Sequence, residues 1–394
     1  MSAIAKIGKI VFIYNRWLGP GVRRDTGNVF VDFMKKIIFT KQYFVYLLLS
    51  GSLIEIGMKI LFVVMACGIG LFFASCASLR KSGKQEKQKS DTAIVKFDDT
   101  RSAIWDPAIA LVEIESPIDQ KKQKAYFYKS TAAKPQPLLV SLHTWSGNYA
   151  QQDSIAELAK ANDYNYIHPD FRGANNKVEA CGSALALSDI DASIDYAIKH
   201  GNVDPKQIYV VGVSGGGYAT LNVFMHSKHR IRKFSAWASI TDLVAWYNEC
   251  TAKGLKYAHD VFVCTASEGD ELNIAEAEKR SPLYASTPVA KLRQSQLSIF
   301  AGVHDGITGS VPFTHSIHLY NKILEDLKVA DKSYYVSSAE IDRLLASRKP
   351  LGDFGKIGTR EICLTKQYGN VRLVIFDGGH EMLTDYAYGD LFNK

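Results

Sequence analysis

One serine in this chain is enclosed by glycine. The stretch Ile208–Thr220 reads IYVVGVSGGGYAT, a run of strand formers that runs into Gly212-Val213-Ser214-Gly215-Gly216, with Gly217 behind it. Gly-x-Ser-x-Gly between a strand and a helix makes a sharp elbow: the bend demands small neighbours, and the first helical N–H groups are aimed where an oxyanion would form. Ser214 is therefore a candidate nucleophile. A phosphate-cradling loop is the competing use of such glycines, but the Lys-Ser/Thr ending and the dinucleotide glycine spacing are both absent.

A serine hydroxyl needs a base, and the base needs an orienting acid. With an elbow nucleophile the acid and then the histidine follow along the chain, each from a loop after a strand. After LSIFAGV comes HDGITGSVP, which places Asp305 just past a strand end; after VRLVIF comes DGGHEML, which places His380 behind two glycines. Several rivals are set aside. His304 alternates away from Asp305, His315 and His318 lie on a helix, His226 and His229 sit among Lys and Arg, and Asp377 is crowded against His380 in the same loop. A second oxyanion donor is expected from the loop His143–Tyr149 (HTWSGNY), so the N–H of Gly215 is paired with that of Thr144 or Trp145. Asp170 and Arg172 in HPDFRG end another strand, and read as a loop-fixing ion pair more readily than as a substrate site.

These residues need a frame that brings strand ends together. Ala110–Glu115 and Ala125–Lys129 read as strands joined by a polar turn, and Pro137–Leu142 as a buried strand. Asp153–Asn162 has helical spacing, Tyr164–His168 reads as a strand and Ser188–His200 as a helix. Then follow strand Gln207–Val213, helix Gly215–His226, strands Phe234–Ser239 and Leu297–Val303, helices Phe313–Leu327 and Ser338–Ser347, and a hairpin of Glu361–Thr365 with Val371–Phe376. Strands alternating with helices predict an α/β fold: a mostly parallel central sheet covered by helices on both faces, with an antiparallel edge at its start.

With the residues in these places, the chain resembles the α/β-hydrolases, and within them the catalytic domain of the prolyl oligopeptidase family. The carriers are VSLHTWSG, HPDFRG, GVSGGG, KRSPL at Lys279–Leu283, GVHDGITGSVP and DGGHE, over Pro137–Glu381. The resemblance implies Ser214 as nucleophile, Asp305 as acid and His380 as base. Two departures stand out. The oxyanion loop reads His143-Thr144 where the family usually has His-Gly, and the about 40 residues between tether and core are too few for the family's β-propeller. Single-domain relatives with an open site include esterases on acylated plant polysaccharides.

Charge and composition bound the partners. The 394 residues carry a net charge of +7, but residues 1–94 hold fourteen Lys or Arg against five Asp or Glu, so 95–394 are slightly acidic and give no reason to expect nucleic-acid binding. From Met58 the chain runs MKILFVVMACGIGLFFASC, an apolar core too short for a spanning helix that ends in small residues and Cys76. It resembles a bacterial lipoprotein signal with Cys76 as lipid attachment point, although Phe73 stands where Leu is usual. The expected layout is a possible over-long gene start or membrane-proximal segment (1–57), signal (58–75), flexible tether (76–94) and catalytic domain (95–394), on an exported protein held at the periplasmic membrane or cell surface. Cys250 and Cys264 are open to either a bridge or two buried thiols. No cofactor and no metal site is implied, since no Cys-x-x-Cys pair is present.

The reading that results is a serine hydrolase working through an acyl-enzyme, favoured as an esterase on acylated carbohydrate or small-molecule esters. Trp145, Tyr218, Trp237 and Trp246 are either core or a sugar platform. A serine peptidase with peptide substrates is the first alternative. A non-catalytic surface binding protein is the second, and it predicts the loss of a triad member.

Overall fold

The computed structural model describes residues 94–96 and 100–392; the expectations for residues 1–93, among them the signal, the tether and Cys76, lie outside the described residues. In chain order the strands are β1 (Ile94–Lys96), β2 (Ala110–Glu115), β3 (Lys122–Tyr128), β4 (Gln136–Leu142), β5 (Asn165–Pro169), β6 (Val203–Val213), β7 (Lys233–Trp237), β8 (Gln296–Gly302), β9 (Lys356–Ile357), β10 (Arg360–Tyr368), β11 (Val371–Phe376) and β12 (Glu381–Leu383). The helices are α1 (Ile155–Ala161), α2 (Ala184–His200), α3 (Gly215–His226), α4 (Leu243–Lys253), α5 (Tyr257–Cys264), α6 (Ile274–Arg280), α7 (Val289–Leu292), α8 (Thr314–Asp326), α9 (Ser338–Ser347) and α10 (Thr384–Phe392).

Ten strands form one sheet in the order β2-β3-β5-β4-β6-β7-β8-β11-β10-β9. The centre from β5 to β11 is parallel, while β3 and β10 run against it. This is the expected α/β-hydrolase arrangement. The parallel strands are continuous apolar runs because both faces are covered: Leu138, Val140, Val210 and Ile299 pack on one side, and Leu139, Val211, Phe300 and Val374 on the other.

The element boundaries differ from expectation where local chemistry overrides apolar spacing. β6 starts at Val203 rather than Gln207, because Pro205 falls in a register irregularity between Gln136–Val203 and Leu138–Ile208, where no ladder donor is needed. α2 starts at Ala184, four residues early, because Ser183 caps it by accepting the Ala186 N–H. The segment 243–280, left without elements by the apolar spacing, is largely helical. Asp242 caps α4 through the N–H groups of Val244 and Ala245, and Gly254 ends it at φ 64°.

Candidate active site

Ser214 stands between β6 and α3 with φ 58° and ψ −120°, outside the regions a serine ordinarily occupies. Its N–H donates to the Trp237 carbonyl (2.9 Å) and its carbonyl accepts from Tyr218 N (2.8 Å), so the turn is clamped to β7 and to its own helix. The glycines are required by close approach. A side chain at Gly216 would begin 2.1 Å from the Leu142 carbonyl oxygen, and one at Gly215 would begin 2.2 Å from the Trp145 nitrogen. Glycine here lets α3 start directly against the end of β4 and the loop that follows it.

Asp305 and His380 leave the sheet by the same edge. The parallel register sets Val213 beside Trp237, Trp237 beside Phe300, and Gly302 beside Phe376, so the ends of β6, β8 and β11 open into adjoining loops. His380 Nδ1 donates to Asp305 Oδ2 at 2.6 Å, with both side chains at or below 1 % exposure. Asp305 Oδ1 accepts the N–H groups of Gly306 (2.8 Å) and Val311 (3.1 Å). With its proton on Nδ1, the imidazole has its basic lone pair on Nε2. Asp377, the rival acid, faces outward and meets His304 Nε2 at 2.9 Å.

The oxyanion loop corrects one expectation. The Thr144 N–H donates to Gln151 Oε1 at 2.9 Å, and the Thr144 hydroxyl reaches the same oxygen at 3.2 Å. A donor already committed to a side-chain amide is not the one aimed at substrate. The Trp145 N–H, against the Cα of Gly215, is the loop's remaining choice of the two. Gln151 is a residue that sequence spacing did not single out; it braces the loop from seven positions away. His143 stacks on Phe171 at 3.8 Å between ring centres, and burial holds its pKa down to about 3, so it is neutral.

The remaining candidates are structural. Asp170 and Arg172 do not pair with each other: Arg172 is buried against Asp189 (2.5 Å) and Asp119 (2.7 Å), and Asp170 accepts the Gly173 N–H (2.5 Å). Burial raises the Asp170 pKa. The four aromatics are core, none exposed by more than 2 %. Trp145 meets Trp246 edge-on at 4.6 Å, and its indole N–H reaches Asp260 (3.2 Å); Trp237 stacks on Phe300 at 4.1 Å. Cys250 and Cys264 are free and buried, and the Cys264 thiol donates to the Val261 carbonyl at 3.5 Å. The helices α4 and α5 border the site. Lys253 Nζ donates to the Gly306 carbonyl (2.5 Å) beside Asp305, and Lys256 Nζ to Ser146 Oγ (2.7 Å) beside Trp145.

The fold is that of the α/β-hydrolases, and the elbow serine and the buried histidine–aspartate pair leave it by the same end of the sheet. Residues 150–335, just under half of the chain, match the model of the prolyl oligopeptidase family. No curated protein matches the chain. Solved structures similar to it include an acylaminoacyl peptidase from Pyrococcus horikoshii (19 % identity, 55 % of this chain and 35 % of that one, TM-score 0.45). Others are oligopeptidase B from Leishmania major (13 %, 72 % and 36 %, TM-score 0.47) and dipeptidyl peptidase 4 from Porphyromonas gingivalis (16 %, 56 % and 30 %, TM-score 0.43). The chain aligns with only about a third of the length of each.

Proposed function

We propose that the chain is a serine peptidase that cleaves acyl–amide bonds of short peptide substrates through an acyl-enzyme on Ser214. Ser214 Oγ attacks the carbonyl carbon while His380 Nε2 takes its proton. The Gly215 and Trp145 N–H groups receive the oxyanion. His380 then passes the proton to the departing amine, and a water activated by the same nitrogen releases the acid and restores Ser214. Asp305 holds the imidazole in the tautomer this needs. The observation that carries the reading is the buried His380–Asp305 hydrogen bond at the sheet edge from which the strained Ser214 elbow also rises.

Two observations favour amide over ester substrates. The matching family is one of oligopeptidases. The aromatics offered as a sugar platform are buried. The esterase remains the second reading, and the binding-protein alternative loses support because the sequence keeps Ser214, Asp305 and His380 at the three expected positions.

The test uses the full chain. A fluorophosphonate should label it and leave Ser214→Ala unlabelled, and a dipeptide p-nitroanilide should be turned over by the parent alone. Absence of anilide turnover beside rapid hydrolysis of an unactivated acetyl ester would return the esterase reading. A folded parent that is not labelled would remove the catalytic one.

A further inference from the structure

One buried carboxylate touches the turn that carries His380, and the reaction as described makes no use of it. Glu381 follows the histidine directly and is 8 % exposed. Its Oε1 accepts the Gly379 N–H at 3.0 Å, and its Oε2 accepts from Arg360 Nη2 at 3.0 Å. Arg360 opens β10, and the neighbouring Glu361 carbonyl accepts the Asp377 N–H (2.8 Å) at the other end of the same turn. The Gly378 carbonyl accepts from His304 N at 3.0 Å. The Glu381 backbone lies in β12, where it pairs with Lys96 of β1. Residues 377–381 are thus tied to β10 at both ends, to the Asp305 loop in the middle, and to β1 beyond.

Burying a carboxylate is costly, and an apolar residue at 381 would pair equally well in a strand. The charge therefore calls for a use. Two glycines before a catalytic histidine leave its backbone loosely determined, and a displacement of about 1 Å at such a group costs on the order of a hundredfold in rate. The carboxylate closes that freedom by holding the Gly379 N–H.

We propose that Glu381, itself held by Arg360, is a positioning residue for His380: it fixes the Gly378–Gly379 turn so that the imidazole meets Asp305. The proposal rests on His380 being the base.

Four full-length proteins test it on the anilide substrate: parent, Glu381→Leu, Glu381→Gln and His380→Ala. Glu381→Leu removes the acceptor of the Gly379 N–H and should lower kcat about tenfold with KM within about twofold. Glu381→Gln keeps an amide oxygen that can accept the same N–H and should recover most of that loss. Recovery by the amide with a kcat loss at unchanged KM is not produced by a residue that only stabilises the fold. Thermal unfolding of each variant separates loss of structure from loss of position. A Glu381→Leu enzyme matching the parent in kcat, with His380→Ala inactive, overturns the positioning role alone. An equal loss in both Glu381 variants, or a loss that follows a lowered Tm, overturns it too. Activity surviving in His380→Ala sinks the base assignment, and this proposal with it.

Discussion

Three of the histidine–carboxylate pairs among the described residues differ in how deeply they are buried. His380 and Asp305 are both sealed from solvent, His315 is buried against a part-exposed Glu249, and His304 meets Asp377 at the surface. The distances are 2.6, 3.1 and 2.9 Å, too alike to set them apart. The tautomers do. His380 gives its Nδ1 proton to Asp305, and its basic nitrogen is Nε2. His315 gives its Nε2 proton to Glu249, and its Nδ1 lone pair receives the Thr241 N–H (3.3 Å), so its base is spent on holding a loop. A catalytic imidazole is recognised by where its lone pair is left, rather than by its having an acid beside it.

The largest effect should come from Asp305→Asn. The amide can keep the contact only by presenting its oxygen to Nδ1–H or its nitrogen to the wrong tautomer, and it no longer stabilises the imidazolium. A loss of about 10⁴ in kcat is expected, with KM little changed and the fold intact. Single-turnover acylation with an anilide substrate measures it. A loss under tenfold would take Asp305 out of the acid's role.

Glu249→Gln should act on stability instead. The amide oxygen can still accept from His315 Nε2, so the pair survives as a neutral hydrogen bond and loses its charge-assisted part, about 1 kcal/mol. Denaturant unfolding should show that shift, with kcat unchanged. A fall in kcat larger than tenfold would mean that α4 and α8 transmit strain to the site, and the contrast between the pairs would need redrawing.

The same contrast shows what the sequence discloses. Ser214 and the helix Gly215–His226 were legible to the residue, because only a strained elbow needs glycine at 212, 215, 216 and 217 together. Asp305 and His380 were legible because short loops after apolar strands leave few places for them. Thr144 misled: its N–H is claimed by Gln151, whose side chain folds back on the loop in a way that spacing does not encode. The helices α4 and α5 went unassigned although Leu243, Trp246 and Cys250, between the cap Asp242 and Gly254, and then Tyr257, Val261 and Cys264 repeat at helical spacing. Their glycines, lysines and short runs resemble loop composition when read piecewise. The aromatics were undecidable, since Trp246 has the same neighbours in sequence whether its ring faces Tyr257 or solvent; only packing, at 5.1 Å, decides. That Cys250 and Cys264 stay free thiols was undecidable for the same reason.

The smallest expected effect is the sharpest check on the comparison. Asp377 stands in the same turn as His380, three residues before it, and is the rival acid that the sequence offered and set aside in favour of Asp305. In the structure its carboxylate meets His304 with half of its side-chain surface in water (52 %), where screening and side-chain entropy leave an ion pair under about 1 kcal/mol. Its backbone, not its charge, holds the turn, through the N–H that donates to Glu361. Asp377→Asn keeps that N–H, so kcat/KM should stay within about twofold and the Tm should move by less than about 2 °C. The measurement is worth making beside Asp305→Asn because the two acids bracket one histidine. If the exposed substitution proved the costly one, the buried pair would be scaffold, the surface pair would be chemistry, and burial would have pointed to the wrong acid.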